Sequence, residues 1–345
     1  MRMKGWNRFC SRAMLLVVVL VSCMQATAQS RSGEKLKRAI KSTVDFVDYV
    51  LNDVDTMYVE GNLYNLTIMP EYSYSYEHYK FAGKTQSIDI APTGRNTLTF
   101  NVGWRWLIVG YSIDLQKGRQ LKEFNTSLYS ARFALDLYYR KSNDGYCIKR
   151  FYDGKEQLLE FDKGFNGLTV KQFGAGLCYA FNKRFSYAAA YGQSTTQRVS
   201  AGSLILGAEY NQQEFAMDHE RLDPTIRGLL SKELGFERIK FNNVNISIGY
   251  AYNWVFAKNF LAGISVAPAI SYKMNETAFP DKKDANAGIG LDFTTRAGLT
   301  YNNKRYYAGA SLESHTYSNN KNNLNITNGF GVLEVYAGFN FWRRK

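Results

Sequence analysis

From about Leu66 to Phe341 apolar and polar residues alternate with a period of two, and this pattern restricts the fold more than any other feature of the chain. Phe173, Ala175, Leu177, Tyr179 and Phe181 are apolar, whereas Gln172, Gly174, Gly176 and Asn182 share the opposite parity. Successive side chains on a strand point to opposite faces, so such a run is a two-faced strand. The same split separates Val244, Ile246, Ile248, Tyr250 and Tyr252 from Asn245, Ser247, Gly249 and Asn253. It separates Ile264, Val266, Ile270 and Tyr272 from Gly263, Ser265 and Ser271, and Ile289, Leu291, Phe293 and Leu299 from Gly290, Asp292, Thr294 and Arg296. Leu333, Val335, Ala337, Phe339 and Phe341 likewise oppose Glu334, Tyr336, Gly338 and Asn340. Tyr129 to Tyr139 reads as one more strand, with Tyr129, Ala131, Phe133, Leu135, Leu137 and Tyr139 opposite Ser130, Arg132, Asp136 and Arg140.

Each run is about 10 to 14 residues, longer than globular strands and close to what a tilted membrane-crossing strand needs. The expected fold is therefore all-β: a transmembrane antiparallel β-barrel of about 12 strands, with 14 as the alternative, spanning residues 63–345. A soluble sandwich or lipocalin-like barrel shows the same alternation, so the connections must discriminate. Gly103–Arg105, Ser142–Gly145, Asn182–Arg184, Ala257–Asn259 and Asn302–Lys304 are short, while Gln116–Thr126, Asp153–Gly167, Met274–Ala287 and Ser318–Thr327 are long and polar. Outer-membrane barrels have short periplasmic turns and long outer loops. Trp104, Trp106, Trp254 and Trp342 all fall at the short-turn end, where an interfacial aromatic girdle belongs. The abundance of Tyr (25), Phe (22) and Gly (28) beside 5 Pro fits the same architecture.

Strand number turns on Phe185–Phe241. One ascent from Phe185 to Tyr210 followed by a large outer loop, Asn211–Phe241, gives 12; a hairpin in the first part gives 14. Within that loop Asp223-Pro224, then Ile226, Leu229, Leu230 and Leu234 before Gly235, reads as a short capped helix.

Ahead of the alternating region, Arg2, Lys4, Arg8 and Arg12 precede an apolar core, Met14–Val21, too short to span a bilayer. Residues 1–28 read as a signal peptide cut after Ala26-Thr27-Ala28, with the lipobox-like Leu20-Val21-Ser22-Cys23 as the competing site. Residues 29–62 read as a periplasmic segment with an amphipathic helix on Leu36, Ile40, Val44, Val47 and Leu51. Export directs the basic excess, formally +13 for the whole chain, toward lipid phosphates and away from nucleic acid. The expected location is the outer membrane of a Gram-negative envelope. The expected partners are outer-membrane lipid, lipopolysaccharide and the barrel-assembly machinery, with the chain a monomer. Cys147 and Cys178 survive cleavage; they fall on neighbouring runs, where a single bridge and two free thiols are both open.

Asn182-Lys183-x-Phe185-Ser186-Tyr187-x-Ala189-Ala190, Gln197-x-x-Ser200-Ala201-Gly202-Ser203, Gly249-Tyr250-x-Tyr252-Asn253 and Asp55-x-x-Tyr58-Val59 resemble the Bacteroides-type family known as domain of unknown function 4421. The resemblance covers nearly the whole mature chain. It implies an outer-membrane β-barrel with no assigned activity.

Chemical motifs are sparse. Ser311, Glu313 and His315 share one face of one strand, a combination similar to barrel-embedded lipid hydrolases. Same-face neighbours sit about 6 to 7 Å apart along a strand, whereas a nucleophile and its base need about 3 Å, so a lumenal polar cluster is the preferred reading and no catalytic residue is expected. No metal spacing or cofactor motif occurs. The candidate lumen-lining residues are Arg132, Asp136, Arg140, Asp292, Arg296, Glu313, His315 and Glu334. Their mixed charges are expected to pair across a tight or plugged lumen. The leading functional reading is a narrow channel or structural barrel; a lipid-active hydrolase and an exported soluble or lipid-tethered protein that binds an apolar ligand are the alternatives.

Overall fold

In the computed structural model the described residues are 53–92, 94–104, 107–115, 120–143, 145–155, 158–279, 283–321 and 324–343. The expected signal peptide, residues 1–28, and the amphipathic helix expected on Leu36 to Leu51 lie outside them. The strands are β1 (Val59–Gly61), β2 (Tyr64–Ala82), β3 (Ser87–Pro92), β4 (Arg95–Trp104), β5 (Leu107–Asp114), β6 (Gln120–Tyr129), β7 (Phe133–Asn143), β8 (Tyr146–Tyr152) and β9 (Leu158–Phe165). They continue with β10 (Leu168–Ala180), β11 (Thr195–Gln197), β12 (Ala201–Met217), β13 (Arg238–Ala257), β14 (Phe260–Ala278), β15 (Lys283–Asn302), β16 (Tyr306–Lys321) and β17 (Leu324–Arg343). Two short helices, α1 (Tyr187–Tyr191) and α2 (Pro224–Leu229), complete the elements used below.

All pairings are antiparallel. The main sheet runs β17-β16-β15-β14-β13-β12-β10-β7-β6-β5-β4-β2, and β17 also pairs with β2 from Asn325↔Ala82 to Arg343↔Tyr64. At one end β2 leaves β4 and pairs with β3, which carries the β8–β9 hairpin. A separate two-stranded sheet joins β1 to β11.

Burial follows the alternation with the usual sense reversed. Ile289 is 80% and Leu291 74% exposed, whereas Asn211, Asn243 and Ser271 on the other parity are fully buried. Apolar side chains thus cover the exposed face of the sheet, and amides and hydroxyls lie on the buried face, where cross-strand hydrogen bonds engage many of them. Examples are Asn243 donating to Asn211 and the Ser73–Thr97 hydroxyl pair. Trp104, Trp254 and Trp342 lie exposed near the short-turn end.

Among the described residues the largest apolar cluster lies at the long-loop end, and a smaller one around Phe185, Tyr187 and Ile205 lies at the short-turn end. In the larger cluster Tyr79, Phe81, Phe151, Phe165, Phe215, Phe236 and Phe241 pack with Ile226 of α2. The Asp223 side chain accepts from the Thr225 amide and Pro224 opens α2, so the capped helix expected at this site forms as Pro224–Leu229.

Several expected boundaries move. Tyr129–Tyr139 is not one strand, because Ser130–Arg132 make a turn between β6 and β7: the Ser130 amide donates to the Phe133 carbonyl, and the Ser130 hydroxyl accepts from the Phe133 amide. Tyr129 therefore faces the interior, its hydroxyl on Asp136. Ser142–Gly145 belongs to the long-loop end, since Asn143 pairs with Thr169 beside the start of β10. The supposed loops Met274–Ala287 and Ser318–Thr327 are mostly strand. Residues 185–200 do not ascend as part of β12; they form α1 and β11. Both Cys147 and Cys178 are free thiols, the first buried in β8 and the second on β10.

Candidate functional site

The segment between β10 and β12 turns into the interior at the short-turn end. Asn182 closes the reversal: its side chain accepts from the Arg184 amide and donates to the Gly202 carbonyl. Ser186 caps α1 by accepting from the Ala189 amide, and its carbonyl and amide are held by Asn253 and Gln197. The run Ala188-Ala189-Ala190 is buried, and small side chains let the helix approach the wall closely. Gly263 and Gly298, paired across β14 and β15, provide the seat: a Cβ on Gly263 would lie 2.7 Å from that of Ala190, and one on Gly298 3.2 Å from the Ala190 carbonyl oxygen. Gln193, at φ 56°, then donates to the Thr300 and Tyr336 hydroxyls and accepts from Asn302.

The β1–β11 sheet ties this plug to the start of the described chain. Glu60 bridges Arg198 at 2.6 Å and Lys304 at 2.8 Å. Burial works to raise the Glu60 carboxyl, but hydrogen bonds from Lys304 and Arg198 outweigh it and hold the group below its ordinary value. Asp53 is likewise lowered, chiefly by its hydrogen bond from Lys183.

Above the plug lies a cavity of about 280 Å³ lined by residues from all twelve main-sheet strands. Tyr187 of α1 forms part of its floor. Arg296 is the hub: it donates to the Tyr187 hydroxyl at 2.7 Å and pairs with Glu313 at 2.6 Å and Asp136 at 3.4 Å. His315 contacts Glu313 through Nε2 at 2.5 Å, and its Nδ1 lies 3.1 Å from the Thr294 hydroxyl. Glu334 accepts from Ser311 at 2.7 Å. At the ceiling Arg140 pairs with Glu77, which also accepts from Tyr79, and the aromatic core follows directly above.

Asp136, Arg140, Arg296, Glu313, His315 and Glu334 thus share the cavity. Asp292 sits on the same buried face in a pair with Lys273 and Ser271. Arg132 is placed elsewhere: in the β6–β7 turn it donates to the Ala180 and Phe181 carbonyls and reaches Asp53. Ser311 and His315 are engaged with different carboxylates. Tyr187, Tyr129 and Gln193 were not singled out by sequence. Only the resemblance-bearing run around Ser186-Tyr187 marked the region.

This geometry defines an all-β, antiparallel protein with an enclosed polar face and an inserted plug. The chain belongs to the family described as Domain of unknown function (DUF4421), which it matches over residues 53–341. Its structural neighbours are outer-membrane β-barrel proteins at low identity. The outer membrane protease OmpT from Escherichia coli is 9% identical with a TM-score of 0.41, the match covering 83% of this chain and 100% of that one. Ail, the attachment invasion locus protein of Yersinia pestis, is 8% identical at 0.27, covering 80% and 99%. OprG from Pseudomonas aeruginosa is 8% identical at 0.27, covering 82% and 98%. No curated protein matches the sequence.

Proposed function

We propose that the chain is a monomeric outer-membrane β-barrel of twelve strands whose bore is held shut by its own plug, a sealed barrel and not an open diffusion pore. The β17–β2 ladder supports closure of the wall. The exposed apolar face supports a lipid surrounding. Val244 to Trp254 covers about 34 Å of strand, or about 25 Å of height at a tilt near 40°, the thickness of an outer-membrane apolar band. The single observation that carries the reading is that the polar cavity is lined by Tyr187 of α1 at one end and by Arg140, Gln172 and Gln213 at the other, next to the Tyr79–Phe215–Phe241 cluster that Gln172 touches through the Tyr79 hydroxyl. A catalytic role has no support at Ser311 and His315, because neither holds the other.

Planar-bilayer recording of the purified protein tests this. The wild type stays silent, and a variant in which residues 186–194 are replaced by a Gly/Ser linker conducts. Steady wild-type conductance overturns the proposal, as does a silent linker variant that still resists carbonate extraction.

A further inference from the structure

On the outer face at the long-loop end the register brings an unusual row of charges together. Lys141 pairs with Lys171, Lys171 with Glu214, Glu214 with Lys240, and Lys240 with Glu276. Residues directly opposite on adjacent strands have Cβ atoms about 5 Å apart, and like charges placed so repel. Within the row Glu214 answers Lys171 at 2.8 Å and also Arg238 at 3.7 Å. Among the described residues neither Lys141 nor Lys240 makes an ion pair. The patch therefore carries Lys141, Lys171, Arg238 and Lys240 against Glu214 and Glu276.

The row also marks a boundary. Below Lys171 the outward residues are Phe173, Ala175, Leu177, Tyr179 and Phe181; below Lys141 they are Tyr139, Leu137, Leu135 and Phe133; below Lys240 they are Asn242, Val244, Ile246 and Ile248. Phe173 and Tyr210 make an aromatic contact just beneath it, and Asn242 accepts from Gln212 and Tyr210. The lysines thus stand one residue pair above the apolar band, where the headgroups of the surrounding outer leaflet would lie on the barrel reading.

We propose that Lys141, Lys171, Lys240 and Arg238 form a binding site on the barrel wall for the phosphate groups of an outer-leaflet phosphoglycolipid. The lipid's acyl chains lie along the Leu137–Leu177–Ile246 surface. Its phosphates relieve the repulsion between Lys141 and Lys171 that the register imposes, and the Glu214 carboxylate holds Lys171 and Arg238 apart on the two strands beside its own. Each lysine near an anionic surface contributes only modestly, so the site acts through several contacts at once.

This inference rests on the barrel reading, and the experiment separates the two. Purified wild type and a Lys141→Gln/Lys171→Gln/Lys240→Gln variant are heated in detergent with phosphorylated lipid A, with dephosphorylated lipid A and with inorganic phosphate. Carbonate extraction of both from membranes is run in parallel. The wild type is expected to gain several degrees with phosphorylated lipid A and less than one with the other two additions, the variant to gain none, and both to stay in the membrane pellet. An equal gain in the variant, no gain in the wild type, or an equal gain with inorganic phosphate overturns the lipid site. An equal gain with the dephosphorylated lipid overturns its phosphate recognition. Loss of the wild type from the pellet overturns the barrel reading itself, whatever the heating result.

Discussion

Arg296 donates to the Tyr187 hydroxyl at 2.7 Å, so the residue that neutralises Glu313 and Asp136 on the wall also grips the plug. Removing it leaves the part-buried Asp136 carboxylate without its cation and Glu313 with His315 alone, a loss smaller than the roughly 3 to 5 kcal/mol of a fully buried broken pair. Arg296→Met is therefore expected to lower the heating midpoint at which the folded, fast-migrating form disappears from a gel, and Tyr187→Phe, which deletes one hydrogen bond worth about 1 kcal/mol, to lower it far less. Equal midpoints for the two variants would show that the hub holds nothing.

Gly263 and Gly298 should be intolerant of side chains in graded order. A Cβ on Gly263 falls 2.7 Å from another Cβ, one on Gly298 3.2 Å from a carbonyl oxygen. Overpacking costs about 1 to 3 kcal/mol. Gly263→Val is expected to displace α1 and give bilayer conductance, with Gly298→Ala nearer to the silent wild type. The reverse order would place the plug elsewhere.

The strap is expected to loosen in acid. The Glu60 carboxyl is lowered in the folded protein, so its contribution is complete above the ordinary glutamate range. It fades as pH falls through that range toward the still lower folded value. Conductance bursts should appear as pH drops below the ordinary glutamate value, and Glu60→Gln should show them at neutral pH with no further dependence from this group. Bursts that grow with rising pH would contradict the sign.

Cys147 and Cys178 are free, Cys147 buried and Cys178 lining the cavity. A membrane-impermeant maleimide should leave both unmodified in the native protein, label both after denaturation without reductant, and reach Cys178 once residues 186–194 are replaced. Failure to label the denatured, unreduced chain would mean the thiols are joined.

The outward pattern was legible wherever one face meets apolar surroundings and the other a polar interior, as in β13 and β14. It fails beyond the apolar band. Past Met274 and Ser318 the strands continue, but on the barrel reading water and the aromatic cluster replace lipid and polar cavity there, so the alternation that announces a strand disappears. The β6–β7 turn was hidden for another reason: Tyr129 and Phe133 are both large and aromatic, and parity cannot tell that one points inward and the other outward across a turn closed by Ser130. Most cavity charges could be read from parity alone, since Asp136, Arg296, Glu313 and Glu334 all interrupt apolar runs. Arg132 could not, because its parity was counted through that turn. The plug was invisible to periodicity. Ala188-Ala189-Ala190 is too short and too weakly apolar to signal a helix, and its position inside depends on Gly263 and Gly298, some 70 to 110 residues away.

Because α1 lies mid-chain, between β10 and β12, it is tied at both ends to neighbouring wall strands. Five further strands must wind past it before β17 reaches β2. On the barrel reading the helix and its alanines then act as a spacer: with Ala190 seated against Gly263 and Gly298, how closely β14 and β15 can approach the rest of the wall is limited by the width of one alanine helix.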